Sequence, residues 1–141
     1  CKNIDIFEKV DIIASDIDVK ALDKAKEGKY QQKSLSNIPK EIVEKYFDKY
    51  EDCYVIQQEL KNKINFMKLD LLRDNFPMNC DLILCRNVMI YFTEEAKDNL
   101  YRKFHKALAP GGIFFVGSTE QIMQAAQIGF AGFKPFFYRK M

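Results

Sequence analysis

Asp81-Leu82-Ile83-Leu84-Cys85-Arg86-Asn87-Val88-Met89-Ile90-Tyr91-Phe92 is the stretch on which the fold turns. Its opening, Asp81 to Cys85, is a short apolar run behind one acid, the pattern of a strand buried on both faces. The run stops at Arg86-Asn87, so the strand presents hydrogen-bond donors at its carboxyl end. Thr93 then suits a helix cap, with Glu94 and Glu95 placed at the positive end of the helix dipole. Ala96, Leu100, Phe104 and Leu108 recur every four residues and predict the core face of that helix. Pro110-Gly111-Gly112 turns the chain, and Ile113-Phe114-Phe115-Val116-Gly117 predicts a second buried strand. Strand, helix and strand in that order imply a parallel crossover.

The same grammar continues on both sides. Toward the N-terminus, Val10 to Ser15 reads as a buried strand running into Asp16-Ile17-Asp18. Val19, Leu22 and Ala25 then mark a helix started by Asp18 and closed by Gly28. Residues 30–38 are polar and loop-like, with Ser36 or Asn37 as candidate caps and Pro39 suited to a first helical turn. Ile42, Val43, Tyr46, Phe47 and Tyr50 form one helical stripe, broken by Glu51-Asp52. Tyr54-Val55-Ile56 and residues 63–69 read as neighbouring strands, the look of a small antiparallel insert. Toward the C-terminus, Glu120 to Gln127 reads as a short helix. Phe133 to Arg139 reads as a final strand, with Pro135 marking an edge or a bulge.

The alternation predicts an α/β chain with a mostly parallel, doubly wound sheet. Such sheets bind ligands at the carboxyl ends of their strands. Three strand ends are polar: Asp16 with Asp18, then Asp70, then Arg86 with Asn87. An acid at such a place accepts bonds from both hydroxyls of a ribose, and helix capping explains Asp16 or Asp18 equally well. Asp70 suits the exocyclic amine of an adenine or a solvated turn.

Length and charge exclude several classes. The 141 residues suggest one domain. Lys and Arg number 22 against 20 acids, a balance of 22 − 20 = +2, so no basic excess argues for nucleic acid. No apolar stretch approaches the roughly 20 residues of a membrane span. Cys1, Cys53, Cys80 and Cys85 are scattered among apolar residues, which suggests reduced thiols in a cytoplasmic protein rather than a disulfide scaffold. Cys80 and Cys85 sit an odd number of positions apart on one strand, hence on opposite faces, and His105 is the single histidine, so no metal site is expected. Arg86 beside Cys85 favours a lower thiol pKa, against a plainer reading as a small apolar residue. The lysines at 20–33 and 40–49 alternate with acids as solvated faces.

At this point the motifs resemble a known family. Ile13-Ala14-Ser15-Asp16-Ile17-Asp18 with Ala21-Leu22, Ala25, Gly28 and Tyr30 is similar to the CheR family of chemotaxis methyltransferases. Cys85 to Phe92 resembles that family's most specific signature. Leu108-Ala109-Pro110-Gly111-Gly112, Phe115 to Glu120 and Phe137-Tyr138-Arg139-Lys140 resemble its closing elements.

The resemblance implies a Rossmann-like (class I) methyltransferase fold over 1–141, with a receptor-contacting β-subdomain inserted at 30–67. It implies S-adenosylmethionine as cofactor and S-adenosylhomocysteine as product. The implied reaction methylates glutamate side chains on the cytoplasmic domain of chemoreceptors. By position, Asp16 matches the acid on the ribose, Asp70 and Leu71 the pair beside the adenine, and Arg86 and Asn87 the residues lining the methionine end. Tyr91, with Arg86, matches the catalytic orienters near the transferred methyl.

There are departures. Asp70 stands where the family often has Asn, and Ser118-Thr119 where it usually has His-Ser. The loop Asp48 to Cys53 is short and lacks the glycine of relatives that dock a receptor tail peptide, so tail-independent recognition is expected. Neither the family's N-terminal helical domain nor its first strand and glycine loop precedes Cys1. Cys1 therefore reads as a cut point in a longer chain, Asn3 to Val10 as a helix end, and two strand edges are expected to face a gap. The alternative reading is a non-catalytic fragment or binding module. A nicotinamide oxidoreductase would need a glycine-rich loop before Asp16.

Overall fold

The computed structural model describes residues 4–118 and 120–141. The expectations placed on Cys1, on Asn3 and on Thr119 of the Ser118-Thr119 turn lie outside the described residues. The chain divides into two compact units, one ending at Asp70 and the other running from Leu71 to Met141.

The first unit opens with α1 (Ile4–Lys9) and β1 (Ile12–Asp16), followed by α2 (Val19–Glu27). Helix α2 starts where the sequence places it. Asp18 accepts from the Lys20 N–H at 2.8 Å, and Gly28 closes the helix in the left-handed region at φ +64°. Glycine adopts that conformation without the steric cost a side chain brings. Next come β2 (Lys29–Tyr30), a 3-10 turn at Gln32–Leu35, α3 (Lys40–Tyr46), β3 (Phe47–Lys49) and β4 (Tyr54–Ile56). α4 (Gln58–Asn62) and β5 (Ile64–Lys68) complete the unit.

Three expectations change here. No side chain caps α3, and Pro39 itself occupies the cap position. The apolar stripe through Phe47 and Tyr50 overran the helix. Phe47 leaves the helical conformation at φ −128°, ψ 135° and pairs with Ile56. Strands 54–56 and 63–69 are not partners either. β4 pairs antiparallel with β2 and β3, whereas β5 runs parallel to β1 in register from Ile12↔Ile64 to Asp16↔Lys68. α4 separates the two strands, and it made no apolar stripe to announce itself. The buried apolar side chains described in this unit are Leu22, Leu35 and Leu69.

The second unit carries β6 (Cys80–Cys85), a 3-10 turn at Met89–Tyr91, α5 (Glu94–Ala107) and β7 (Leu108–Val116). It ends with α6 (Ala125–Ile128), β8 (Phe130–Lys134) and β9 (Phe137–Lys140). The sheet order is β6-β7-β9-β8, with β6 and β7 parallel and the others antiparallel. Thr93 caps α5 by accepting from Ala96 N–H at 3.3 Å, as its position predicts. Leu100, Tyr101, Phe104 and Ala107 are buried, and Leu108, placed on the helix by spacing, instead begins β7.

Phe114 is fully buried at the centre of this unit. It stacks on Phe104 at 4.8 Å and on Phe130 at 5.7 Å, with the Tyr101 ring edge-on at 6.2 Å. Met89, Leu100, Leu108, Val116 and Phe130 close the same core. Each such side chain is worth roughly 1.5–3 kcal/mol of burial.

Pro110-Gly111-Gly112 does not separate two elements. It forms a bulge inside β7, where pairing jumps from Cys80↔Leu108 to Leu82↔Ile113 and Gly111 takes φ +77°. The predicted helix from Glu120 shrinks to α6. Ile122 N–H bonds the Tyr138 hydroxyl at 3.1 Å, and Glu120 turns inward. The single strand predicted over 133–139 is part of a hairpin, turned at Pro135-Phe136 with Phe136 at φ +67°.

The strands read as buried on both faces, β1 and β6, are half open. Among the described residues each has one ladder partner, β5 for β1 and β7 for β6. Separately, Ile12, Ile13, Leu82 and Leu84 are exposed, and since side chains project to the faces of a sheet, this reports uncovered face, at Leu82 and Leu84 on one side of β6, among the described residues.

Candidate functional site

The carboxyl ends of β6 and β7 lie side by side, since Cys85 pairs with Val116. Beyond them the chain continues as Arg86-Asn87 on one side and Gly117 on the other. Glu120 ties these segments together. Its Oε2 accepts from Asn87 N–H at 2.7 Å and from Gly117 N–H at 3.0 Å, and its Oε1 accepts from Met89 N–H at 2.8 Å. Glu120 is 4% exposed. A carboxylate withdrawn so far from water needs charge-assisted hydrogen bonds to offset its lost hydration, and backbone donors supply them here.

The local backbone is shaped around that carboxylate. Asn87 sits in the left-handed region at φ +57°, uncommon for a residue other than glycine. At Gly117 an added Cβ would stand 2.5 Å from Glu120 Oε2 and 3.2 Å from Asn87 Oδ1, so a hydrogen is all that fits. Arg86 is exposed, its guanidinium over the Phe115 ring at 5.7 Å, and Phe115 in turn stacks on Phe137 at 4.3 Å. Met89 is wholly buried and anchors the 3-10 turn, while Tyr91 at the end of that turn is 81% exposed. The second unit thus displays Arg86, Asn87 and Tyr91 on one rigidly held turn.

Burial, helped by the nearby Glu120 charge, pushes the Cys85 thiol up to about 11. Arg86 therefore does not activate it, and the plainer reading of Cys85 as a core residue holds. Tyr101 is pushed up to about 12, first by burial and then by Glu120.

Leu71 lies at the start of this unit. Its carbonyl accepts from Lys103 Nζ at 2.6 Å, as does that of Asp74 at 2.8 Å, and the same ammonium sits over the Phe76 ring at 4.4 Å. One lysine of α5 thereby fixes the 71–76 segment.

In the first unit, the two acids at the end of β1 and just beyond it divide their duties. Asp18 caps α2, while Asp16 accepts from Asp18 N–H at 2.9 Å through a single oxygen. Leu69 N–H bonds the Asp16 carbonyl at 3.0 Å, which holds the ends of β1 and β5 together and places Asp70 beside that end. An exposed carboxylate with an oxygen to spare fits the two donors of a ribose diol.

Glu120 and Lys103 escaped the sequence reading. Glu120 was spent on a helix start, and Lys103 looks like any solvated lysine. A glycine closing a strand with a glutamate three residues later was the available signal for the first.

Comparison with known proteins agrees with this chemistry. Residues 2–134 match the family described as CheR methyltransferase, SAM binding domain. A chemotaxis protein methyltransferase of Listeria innocua is 39% identical over 130 residues, covering 92% of this chain and 50% of that protein. The one from Escherichia coli is 36% identical over 115 residues, covering 77% and 40%. The chain thus spans about half the length of the first of these relatives or less of the second.

Among solved structures, a TehB-like SAM-dependent methyltransferase from Corynebacterium glutamicum aligns with a TM-score of 0.52 at 16% identity, covering 92% of this chain and 65% of that one. A possible exported protein from Bordetella parapertussis aligns with 0.58 at 17%, covering 93% and 53%. At those identities they establish the fold alone: α/β, Rossmann-like, with parallel pairing at β1-β5 and β6-β7 and antiparallel pairing elsewhere. The chain belongs to the CheR methyltransferase family, whose SAM-binding domain it carries.

Proposed function

We propose that this chain is the cofactor-binding part of an enzyme that moves a methyl group from S-adenosylmethionine to glutamate side chains of chemoreceptors. The observation that carries the reading is the turn Arg86-Asn87 to Tyr91, displayed at the carboxyl end of β6 within a family signature. The cofactor supplies an electrophilic methyl on a sulfonium. A substrate carboxylate is already nucleophilic at neutral pH, so no general base is needed, and catalysis consists of positioning and exclusion of water. That suits a set of residues without an acid–base pair.

Asp16 accepts from the ribose hydroxyls in this reading, and Asp70 and Leu71 flank the adenine. Arg86 and Asn87 meet the methionine end. Tyr91 and Arg86 orient the incoming carboxylate with their donors. The receptor-contacting insert, given by the resemblance as 30–67, is built on the antiparallel β2-β4-β3, while its last residues, 64–67, lie in β5 beside β1 and fall outside that sheet. The short Asp48 to Cys53 loop fits recognition without a tail peptide. The partner is the cytoplasmic domain of a methyl-accepting receptor, which places the enzyme in the cytoplasm. No described helix is long and apolar enough to cross a membrane.

The test is transfer of radiolabelled methyl to a receptor cytoplasmic domain by the full-length protein carrying this chain. The expected result is base-labile label on glutamates, lost when those glutamates are replaced by alanine. Label on lysine or on a small molecule would overturn the substrate. Cofactor binding without transfer would favour a binding module.

A further inference from the structure

We propose that Glu120 is a positioning residue for the cofactor-facing turn, holding Arg86-Asn87 in register with the end of β7 through the backbone N–H groups of Asn87, Met89 and Gly117. The proposal rests on the cofactor reading above. Its geometry is independent of that reading and lies wholly within one unit.

Two features separate Glu120 from an ordinary buried residue. First, its three donors belong to two different segments, the turn after β6 and the end of β7. A carboxylate has two oxygens with about four acceptor sites, so it bridges segments that neither a serine nor an asparagine could join as fully. Second, the bridge lies at the carboxyl ends of two parallel strands, where α/β sheets bind their ligands. An apolar side chain there would leave three backbone N–H groups without this acceptor, so Glu120 also serves the fold, and the experiment must separate that role from positioning. The bridge also fastens Asn87 N–H while that residue sits at φ +57°, a region asparagine reaches more readily than most residues. Without the carboxylate the N–H groups of Asn87, Met89 and Gly117 lose the acceptor that ties the Arg86-Asn87 turn to the end of β7.

Glu120→Gln is the informative change. Two N–H groups share Oε2 and one uses Oε1. Whichever position becomes the amide NH2, at least one backbone donor then faces another donor. The experiment is calorimetric binding of S-adenosylhomocysteine to the full-length protein, wild type and Glu120→Gln, at a temperature where circular dichroism shows both folded.

The expected result is a Kd raised by about tenfold or more in the variant, the scale on which misplacing a binding group acts. A purely structural Glu120 would lower the melting midpoint and leave the Kd of the folded protein unchanged, and that outcome overturns the proposal. If the variant does not fold, the wild-type amide signals of Met89 and Gly117 decide. They move in step with Asn87 on addition of S-adenosylhomocysteine if the bridge couples to the cofactor, and immobile signals overturn it. Failure of the wild-type protein to bind S-adenosylhomocysteine would refute the cofactor reading and this proposal together. Wild-type binding with unchanged variant affinity refutes this proposal alone.

Discussion

Gly117→Ala tests the bridge from the opposite side. The new methyl would stand 2.5 Å from Glu120 Oε2, and ordinary contact begins at 3.4 Å, so the carboxylate must retreat by 3.4 − 2.5 = 0.9 Å. Directed along both bonds, that retreat would lengthen the one to Gly117 N–H from 3.0 Å to about 3.9 Å and the one to Asn87 N–H from 2.7 Å to about 3.6 Å, to or past the limit of a hydrogen bond. A hydrogen bond to a charged group is worth about 1.5–3 kcal/mol net, so losing both costs about 3–6 kcal/mol, and partial backbone relaxation brings the expectation to about 3 kcal/mol. The Gly117 backbone itself contributes no strain, because its φ lies outside the left-handed region.

The assay is equilibrium urea unfolding followed by far-ultraviolet circular dichroism, since the chain has no tryptophan. Gly132→Ala is the control. Nothing lies within 4 Å of its would-be Cβ and its φ is ordinary, so it is expected to be neutral or stabilising by under about 1 kcal/mol. A Gly117→Ala variant within about 1 kcal/mol of that control would show that Glu120 yields freely, and the tight-bridge reasoning would fail.

Three further outcomes follow from the same geometry. Tyr91→Phe in the full-length protein is expected to lower methyl-transfer turnover more than cofactor affinity, because the exposed hydroxyl is assigned to the incoming carboxylate; equal turnover removes Tyr91 from that role. The Cys85 thiol, pushed up to about 11, is expected to resist iodoacetamide at neutral pH in the native protein and to label on unfolding. Rapid native labelling of Cys85 would contradict its burial. His105 is held below the ordinary histidine range, first by burial and then by the Lys140 charge, and its buried Nε2 has no hydrogen-bond partner in the described structure. The unfolded chain therefore binds more protons than the native one near pH 6.5, and the His105 contribution to stability is lost as pH falls. His105→Phe, which keeps a ring against Phe130, is expected to flatten the melting temperature between about pH 7 and pH 5; an unchanged slope places the acid sensitivity elsewhere.

Much of the fold was legible wherever a local signal has a local cause. Asp18 and Gly28 bound α2 because capping and left-handed closure need only neighbouring residues. Thr93 starts α5 for the same reason. The apolar runs at Ile12 and Ile113 are strands as read. Pairing was not legible. The same alternation in residues 63–69 serves an antiparallel or a parallel partner, and only α4, too short to leave a stripe, carries β5 to β1. The stripe through Phe47 kept its helical period past the helix end, because an aromatic residue serves a strand edge equally well.

The candidate residues divide along the same line. The order of residues along the chain by itself placed Asp16, Asp70, Arg86 and Asn87 at strand ends and carried the family resemblance that singled out Tyr91, since type and spacing are properties of the chain alone. Tertiary structure decided that Lys103 holds Leu71 and that Glu120 reaches back across the turn to bind Asn87 and Met89. Those bonds join residues about 30 positions apart, 33 in the case of Asn87 and Glu120. No local propensity encodes them. They exist because β6 and β7 pair in parallel, which brings two distant chain segments to one end of a sheet and leaves their backbone donors in need of an acceptor.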